Sequence, residues 1–372
     1  MIDRGKRGRR GRSVLGSARR RFSADERGSV IIMVALSMVV LCGAAALSVD
    51  IGQLYTTRGD LQNSADAASL AGAQSLIVSS GEAHDQAEEW GEKNGLSLEE
   101  IASINNGVNC DGSTRANSLS VHVQRNVDYT FAQVLGLTDQ DVTACATAQI
   151  GSPAESDGLF PLSVPEDFIS FSGETQLKYD AGQLHNGNSL ALDLEDGESG
   201  SGGDQFENNL KFGSDEPLCA TDADPSGIFC TASSIADTET GNKIAAITDG
   251  MQYRIDNTSE ACDTLDEVRQ DRGDGTYGIK PGCNPFGPDG NDGSKRIVLI
   301  PVIDQDDWNA CNGTCDVTVR RFAVFFLSDF ECDTSKGHCE VHGTFLEMII
   351  DVGGVLGDLV PGSGITMVRL VG

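Results

Sequence analysis

The stretch from Gly28 to about Ser80 most constrains what this chain can become. It opens with 22 uncharged residues, GSVIIMVALSMVVLCGAAALSV, held between Arg27 and Asp50. About 20 apolar residues in a helix cross the hydrocarbon of a bilayer, so this run is long enough to span one. The following DIGQLYTTRGDLQNSADAASLAGAQSLIVSS contains no proline and only isolated glycines. Leu54, Leu61, Ala65, Ala68, Gly72 and Leu76 recur in it at steps of seven, four and three, which trace one narrow stripe along a helix. Asp60, Asn63 and Gln74 fall on the other side. The pattern predicts a single helix, a membrane anchor in its first half and a packing spine in its second.

Charge gives the anchor a direction. Residues 1–27 hold ten Lys/Arg against three acids, or +7 of a total of −29, which leaves −36 for residues 28–372. Basic residues beside a single span stay cytoplasmic, so the tail (1–27) is expected inside and everything after Asp50 outside. An exterior at −36 argues against nucleic acid or anionic headgroups as its partners. The Arg-, Gly- and Ser-rich tail has no apolar period and reads as a disordered topology signal. A cleavable signal is the rival for 28–49. Ala44-Ala45-Ala46 resembles a cleavage site and Arg19-Arg20-Arg21-Phe22 a twin-arginine signal, and Cys42 raises the question of a lipoprotein. The apolar run exceeds a typical signal core of about 7–15 residues, the helical pattern continues past it, and Leu41 is too large for lipoprotein processing, so a retained anchor is the better reading.

The cysteines divide in the same way. Cys42 lies in the span, while Cys110, Cys145, Cys219, Cys230, Cys262, Cys283, Cys311, Cys315, Cys332 and Cys339 all lie beyond it. An even number outside a membrane reads as a disulfide framework. Pairing of neighbours is preferred: Cys110–Cys145, Cys219–Cys230, Cys262–Cys283, Cys311–Cys315 and Cys332–Cys339. Zinc is the alternative, but no CxxC pair occurs and the surroundings are acidic, Gly-rich loops.

Along the chain, Gly81 is expected to break the long helix. Ala83, Ala87 and Trp90 mark a short amphipathic helix that stops near Asn94-Gly95. Ser97 and Glu100 have capping-box spacing and point to another helical turn or two. Ser118–Val123 and Val142–Ile150 read as strands, and Tyr129–Leu135 as a short helix ended by Gly136. These elements make a small α/β module over 50–150. Residues 151–158 are the expected linker. In 159–372 short apolar runs alternate with turn clusters, and Leu159–Val164, Ser189–Leu194, Arg296–Ile303, Val317–Leu327, Glu340–Asp351 and Gly364–Val371 are the candidate strands. RRFAVFFLSDF is apolar on both faces, which suits a central strand covered on both sides. One helix is expected near Lys243–Ile255. The fold class is therefore α+β, with a β-rich, disulfide-braced domain following the helical spine.

Catalytic signatures are scarce: there is no GxSxG, HExxH or P-loop. Of His84, His122, His185, His338 and His342, the last two share a stretch with Cys339 and Glu340. In a strand, positions four apart are about 13 Å apart, so surface histidines are preferred over a metal pair. No cofactor is expected. The best ligand signal is calcium at Asp289, Asn291 and Asp292 in GPDGNDG, but that loop departs from the EF-hand pattern and lacks its closing Glu, so plain turns are the preferred reading. Asp271-Arg-Gly-Asp274-Gly is weaker.

Arg27-Gly28-Ser29-Val30, the span, Val49-Asp50-Ile51-Gly52, Arg58, Leu61-Gln62-Asn63, Ala65-Asp66-Ala67-Ala68 and Leu70-Ala71-Gly72-Ala73 together resemble the N-terminal signature of TadE/TadG-like proteins of the Flp (tight-adherence) pilus system. The resemblance covers about fifty residues, with Gly28, Asp50, Leu61, Gln62 and Asp66 as its motif positions. It implies a single-pass bacterial membrane protein that assembles or stabilises a type IVb-like pilus through protein contacts and without catalysis. Its partners would be pilus subunits or assembly proteins, or a second copy through the spine. Pilins and pseudopilins of this system carry Glu five residues after the processed glycine, where this chain has Met33. That difference favours the uncleaved, TadG-like type. A von Willebrand-type DxSxS metal motif of some long members is absent from the sequence. The alternatives are a membrane-tethered extracellular binding or sensor module and a surface hydrolase.

Overall fold

The computed structural model describes residues 26–181, 187–194, 202–273, 276–286 and 293–371. They fall into two compact units: residues up to Leu54 together with Asp128–Gln140, and Tyr55–Val127 together with Asp141–Gly372. Helix α1 (Glu26–Gln74) runs without interruption. It ends short of Ser80, in a 3-10 turn over Ser75–Ile77. Helix α2 (Ser80–Lys93) then begins at Ser79, whose hydroxyl accepts the Glu82 N–H at 3.0 Å. The serine cap sets this boundary, and Gly81, expected to break the helix, lies harmlessly in the first turn.

In the first unit, Val30 to Ala45 are exposed throughout. This part of α1 is long and apolar enough to cross a membrane. Burying a large aliphatic side chain is worth about 1.5–3 kcal/mol relative to leaving it in water, and this surface carries many such groups unburied. The remainder of this unit is the tip of a β-hairpin, Asp128–Gln140.

In the second unit the lower half of α1 is a packing element. Leu61, Ala65 and Ala68 of the predicted stripe are fully buried, and so is Ala73 beside it. Asp60 and Asn63 are exposed, whereas Gln74 is half-buried and accepts a hydrogen bond from Arg272. A Cβ at Gly72 would lie 2.8 Å from the Ala83 carbonyl, 2.9 Å from the Ala87 methyl and 3.0 Å from Leu119, so only glycine allows this approach.

Strands β1 (Ile101–Val108), β2 (Thr114–Asp128) and β3 (Asp139–Gly151) follow α2. The capping box at Ser97 forms, but over a single 3-10 turn, Leu98–Glu100, that leads directly into β1. That strand was not expected, because Asn105, Asn106 and Gly107 interrupt its pattern with poor strand formers. Next come β4 (Pro153–Ser156), β5 (Leu162–Pro165), β6 (Thr175–Asp180), β7 (Leu190–Asp193), α3 (Gly202–Phe212), β8 (Leu218–Cys219), β9 (Ile235–Thr238) and α4 (Ile244–Asp256). The rest are α5 (Leu265–Val268), β10 (Arg269–Asp271), β11 (Tyr277–Ile279), β12 (Ile297–Ile303), α6 (Gln305–Ala310), β13 (Asp316–Asp333), β14 (His338–Leu346), β15 (Met348–Ile349), β16 (Val355–Leu356) and β17 (Ile365–Leu370). The α+β expectation holds.

Strand order separates the sheets differently from the expected modules. One sheet runs β1-β2-β3-β17-β15, so strands from far downstream complete the sheet of the 50–150 region. Residues 151–158 are not an exposed linker. They contain β4, which pairs with β8 and β16 and buries Pro153, Ala154 and Ser156. Small residues that read as a linker here permit backbone contact: a Cβ at Gly151 would lie 2.1 Å from the Gly357 carbonyl oxygen.

The larger sheet runs β12-β5-β7-β9-β13-β14-β6, and β12 also pairs with β13. Strand β13 serves three partners along its length: β9 at Asp316–Thr318, β12 at Val319–Phe326 and β14 at Val324–Asp333. Its centre is covered on both sides, since Phe322, Val324 and Phe326 enter one core while Ala323, Phe325 and Leu327 enter another. The second core also takes Phe206 and Leu210 of α3 and Ile244, Ile247 and Met251 of α4.

Five disulfides brace the second unit: Cys110–Cys145, Cys219–Cys230, Cys262–Cys283, Cys311–Cys315 and Cys332–Cys339. Closing a loop of 35 residues, as Cys110–Cys145 does, is worth about 3–4 kcal/mol in the chain-entropy view. An ion pair ties β2 to the turn ahead of β1. Arg125 binds both Glu100 oxygens, one at 3.0 Å, and donates to the Gly95 carbonyl at 3.0 Å. The guanidinium holds the Glu100 carboxyl at about 2, against an ordinary 4.5, with the Ser97 N–H adding to it.

Two predictions follow from these contacts. Gly72→Val should destabilise the protein by about 1–3 kcal/mol through overpacking, whereas Gly59→Ala, where a Cβ meets nothing within 4 Å, should be neutral or stabilising by up to about 1 kcal/mol; thermal melts of the purified protein decide. The lowered Glu100 value makes its contribution complete above pH 4.5 and lost as pH falls toward about 2. Arg125→Ala should therefore lower stability by about 1 kcal/mol at neutral pH and flatten the loss of Tm across that acid window.

Candidate interaction surface

The motif positions of the helix are joints. In the first unit Asp50 is almost fully buried. Its carboxylate accepts N–H donors from Thr130 at 2.9 Å, Phe131 at 3.1 Å and Ala132 at 2.7 Å. These are the otherwise unpaired donors at the start of a 3-10 turn, Ala132–Leu135, which ends at Gly136 in the left-handed region (φ 85°). The expected short helix is thus one 3-10 turn. The clamp was not legible in the sequence, because its partners lie 80 residues away and are backbone atoms.

In the second unit Gln62 donates through Nε2 to Asp66 Oδ1 at 2.8 Å and to the Cys145 carbonyl at 3.0 Å. The i,i+4 pair is visible in sequence, but the link to β3 is not. Ser64 Oγ donates to the Asn94 carbonyl at 2.7 Å, which fixes α1 to the end of α2. Leu61 packs fully buried beside them. Gly28 lies in the first turn of α1. N-terminal to the internal contacts of Leu61, Gln62 and Asp66, α1 carries Gly52, Arg58 and Gly59, all exposed. A Cβ at Gly52 or Gly59 would meet nothing within 4 Å.

Donor clusters elsewhere are structural. His122 lies near Cys110 and Cys145, and Glu155 near Cys219 and Cys230. In both groups the two sulfurs form a disulfide and lack the thiolate charge that binds a metal. His338 and His342, expected to stand apart, both reach Glu340 between them, at 3.1 and 3.9 Å, and Lys178 Nζ joins at 3.1 Å. Alternate residues of a strand share a face, so the middle carboxylate gathers both rings. The His338 and Lys178 hydrogen bonds pull the Glu340 carboxyl below its ordinary range. Asp289, Asn291 and Asp292 lie outside the described residues, as do His185 and Asp274. Asp271 accepts the Gly273 N–H at 2.9 Å, as in an ordinary Asx turn.

The second unit also holds a groove of about 680 Å³. Leu76, Phe171, Tyr277, Phe345 and Met348 give it an apolar wall, and Arg269 and Glu347 are charged groups at its lining.

Residues 28–75 match the family model described as putative Flp pilus-assembly TadE/G-like. No curated protein and no solved structure matches the chain. The match runs from the start of the apolar segment through the joints at Asp50, Leu61, Gln62 and Asp66 to the end of α1. Over these residues the helix is similar to the TadE/G-like segment that the Flp pilus-assembly family model describes.

Proposed function

We propose that this protein is a single-pass membrane component of a Flp-type pilus machinery that acts by protein–protein contact, without catalysis. The observation that carries this reading is the coincidence of the family segment, residues 28–75, with a helix whose first half is exposed and apolar. The +7 tail and −36 remainder favour the N-terminus in the cytoplasm and the disulfide-braced bulk outside the membrane. Met33, in place of the pilin glutamate, favours an uncleaved, TadG-like protein rather than a pseudopilin.

Partner contact falls to the exposed stretch of α1 at Gly52, Arg58 and Gly59, because the residues from Leu61 onward are used internally. The glycines at 52 and 59 let a second helix approach closely, as packed membrane-proximal helices require. The partner is a pilus subunit, an assembly protein or a second copy of this chain. The apolar groove favours a second reading, a membrane-tethered binding module for an extracellular ligand.

Deleting the gene and imaging the cell surface separates the two. Loss of pili is expected, and normal pili in the deletion strain would sink the assembly reading. Complementation with Gly52→Leu/Gly59→Leu should leave membrane levels of the protein unchanged by immunoblot while reducing piliation several-fold. Full restoration by that variant would remove the exposed stretch at Gly52 and Gly59 from the account.

A further inference from the structure

Residues Tyr129–Thr138, YTFAQVLGLT, are ten consecutive uncharged positions in an exterior that otherwise carries −36. They form the tip of the β2–β3 hairpin, with Asp128 and Asp139 at its base. Phe131, Val134 and Leu137 are 45%, 89% and 55% exposed. A water-facing turn has no need of such residues, and the backbone here is prepared for a drier place. Asp50 takes the donors of Thr130, Phe131 and Ala132. Tyr129 N–H donates to the Thr138 carbonyl, Val134 to Phe131, Gly136 to Gln133 and Leu137 to Ala132. Paired donors are what a segment needs before it leaves water, since each unpaired group costs several kcal/mol in hydrocarbon.

Position supplies the occupant. The 22 residues of 28–49 rise about 33 Å as a helix, enough to fill the hydrocarbon, so Asp50 falls at its outer rim. Ala46, one turn nearer the N-terminus on the same side, is half-buried, whereas every other residue from Val30 to Val49 is exposed. Ala46 and the hairpin tip belong to the same unit.

We infer that the hairpin tip Tyr129–Thr138 is a second membrane contact, seating Phe131, Val134 and Leu137 among the lipids at the outer edge of the bilayer beside α1. Lipid is the occupant because the patch continues the lipid-facing surface of α1. Tyr129 stands between apolar tip and acidic base, where an aromatic with a polar end suits the interface. Asp50 is the positioning residue that ties the tip to the helix. The inference rests on the reading of α1 as a membrane span.

The test uses full-length protein in phosphatidylcholine vesicles carrying a nitroxide quencher on the acyl chain near the headgroup. An environment-sensitive fluorophore is placed on native Cys42, the free cysteine in the apolar half of α1. In the Cys42→Ser background it is placed instead at Val134→Cys or, as an aqueous reference, at Glu88→Cys on α2. The Val134 label should emit blue-shifted, be quenched by the lipid nitroxide as Cys42 is, and resist aqueous iodide. Adding Asp50→Ala should bring its quenching toward the Glu88 value. A quenched Cys42 with a Val134 label that behaves like Glu88 overturns the inference and leaves the span intact. An unquenched Cys42 overturns the span reading itself. A Val134 label shielded from both quenchers means that protein covers the tip, which also overturns lipid as its occupant.

Discussion

One helix must satisfy two surroundings, and the rest of the molecule is arranged around that constraint. From Val30 to Ala45 the residues of α1 are exposed and mostly apolar; from Leu61 to Ala73 one stripe of it, Leu61, Ala65, Ala68 and Gly72, is buried. The first set is suited to lipid, and the second to close contact with other backbone. Between them, Asp50 trades hydration for three backbone N–H donors. A buried carboxylate is tolerated only where donors surround it. On the proposed membrane-span reading, the exchange sits at the level where the helix leaves the bilayer.

The second unit meets a different difficulty. It is acidic and Gly-rich, and several of its strands are only two to four residues long, so short ladders must be held in register by other means. Strand β13 is the main device, since it touches β9, β12 and β14 in turn and faces apolar residues on both sides. The disulfides are the other device. Each closes a local loop, and Cys332–Cys339 lies across the paired end of the β13–β14 hairpin. Such covalent bracing is suited to a compartment where thiols are oxidised.

What the sequence made legible was what local pattern controls. The stripe through Leu61, Ala65 and Ala68, the doubly apolar centre of β13, helix α4 and the Ser97 capping box all follow from spacing a few residues long. What was hidden depends on distant backbone atoms. Asp50 looked like the end of an apolar run, and only the fold brings Thr130–Ala132 to it. Gln62 and Asp66 read as an i,i+4 pair with no hint of the Cys145 carbonyl. Residues 151–158 have the composition of a linker, yet their small side chains let β4 lie between β8 and β16. His338 and His342 were judged by the distance between them rather than by the carboxylate that sits in the gap.

The position of β17 bears on the order of events during synthesis. It pairs in antiparallel fashion with β3, from Met367 opposite Gly151 to Leu370 opposite Ala148. A ribosome delivers β3 long before β17, and in the interval one edge of β3 stands bare. An uncovered strand edge invites pairing with another chain. The nascent protein thus carries a temporary adhesive edge that its own later residues must reclaim, and a chaperone acting at this stage would have a defined place to bind. Maturation of the sheet next to the helix is in this sense a late event, timed by the arrival of residues 365–370.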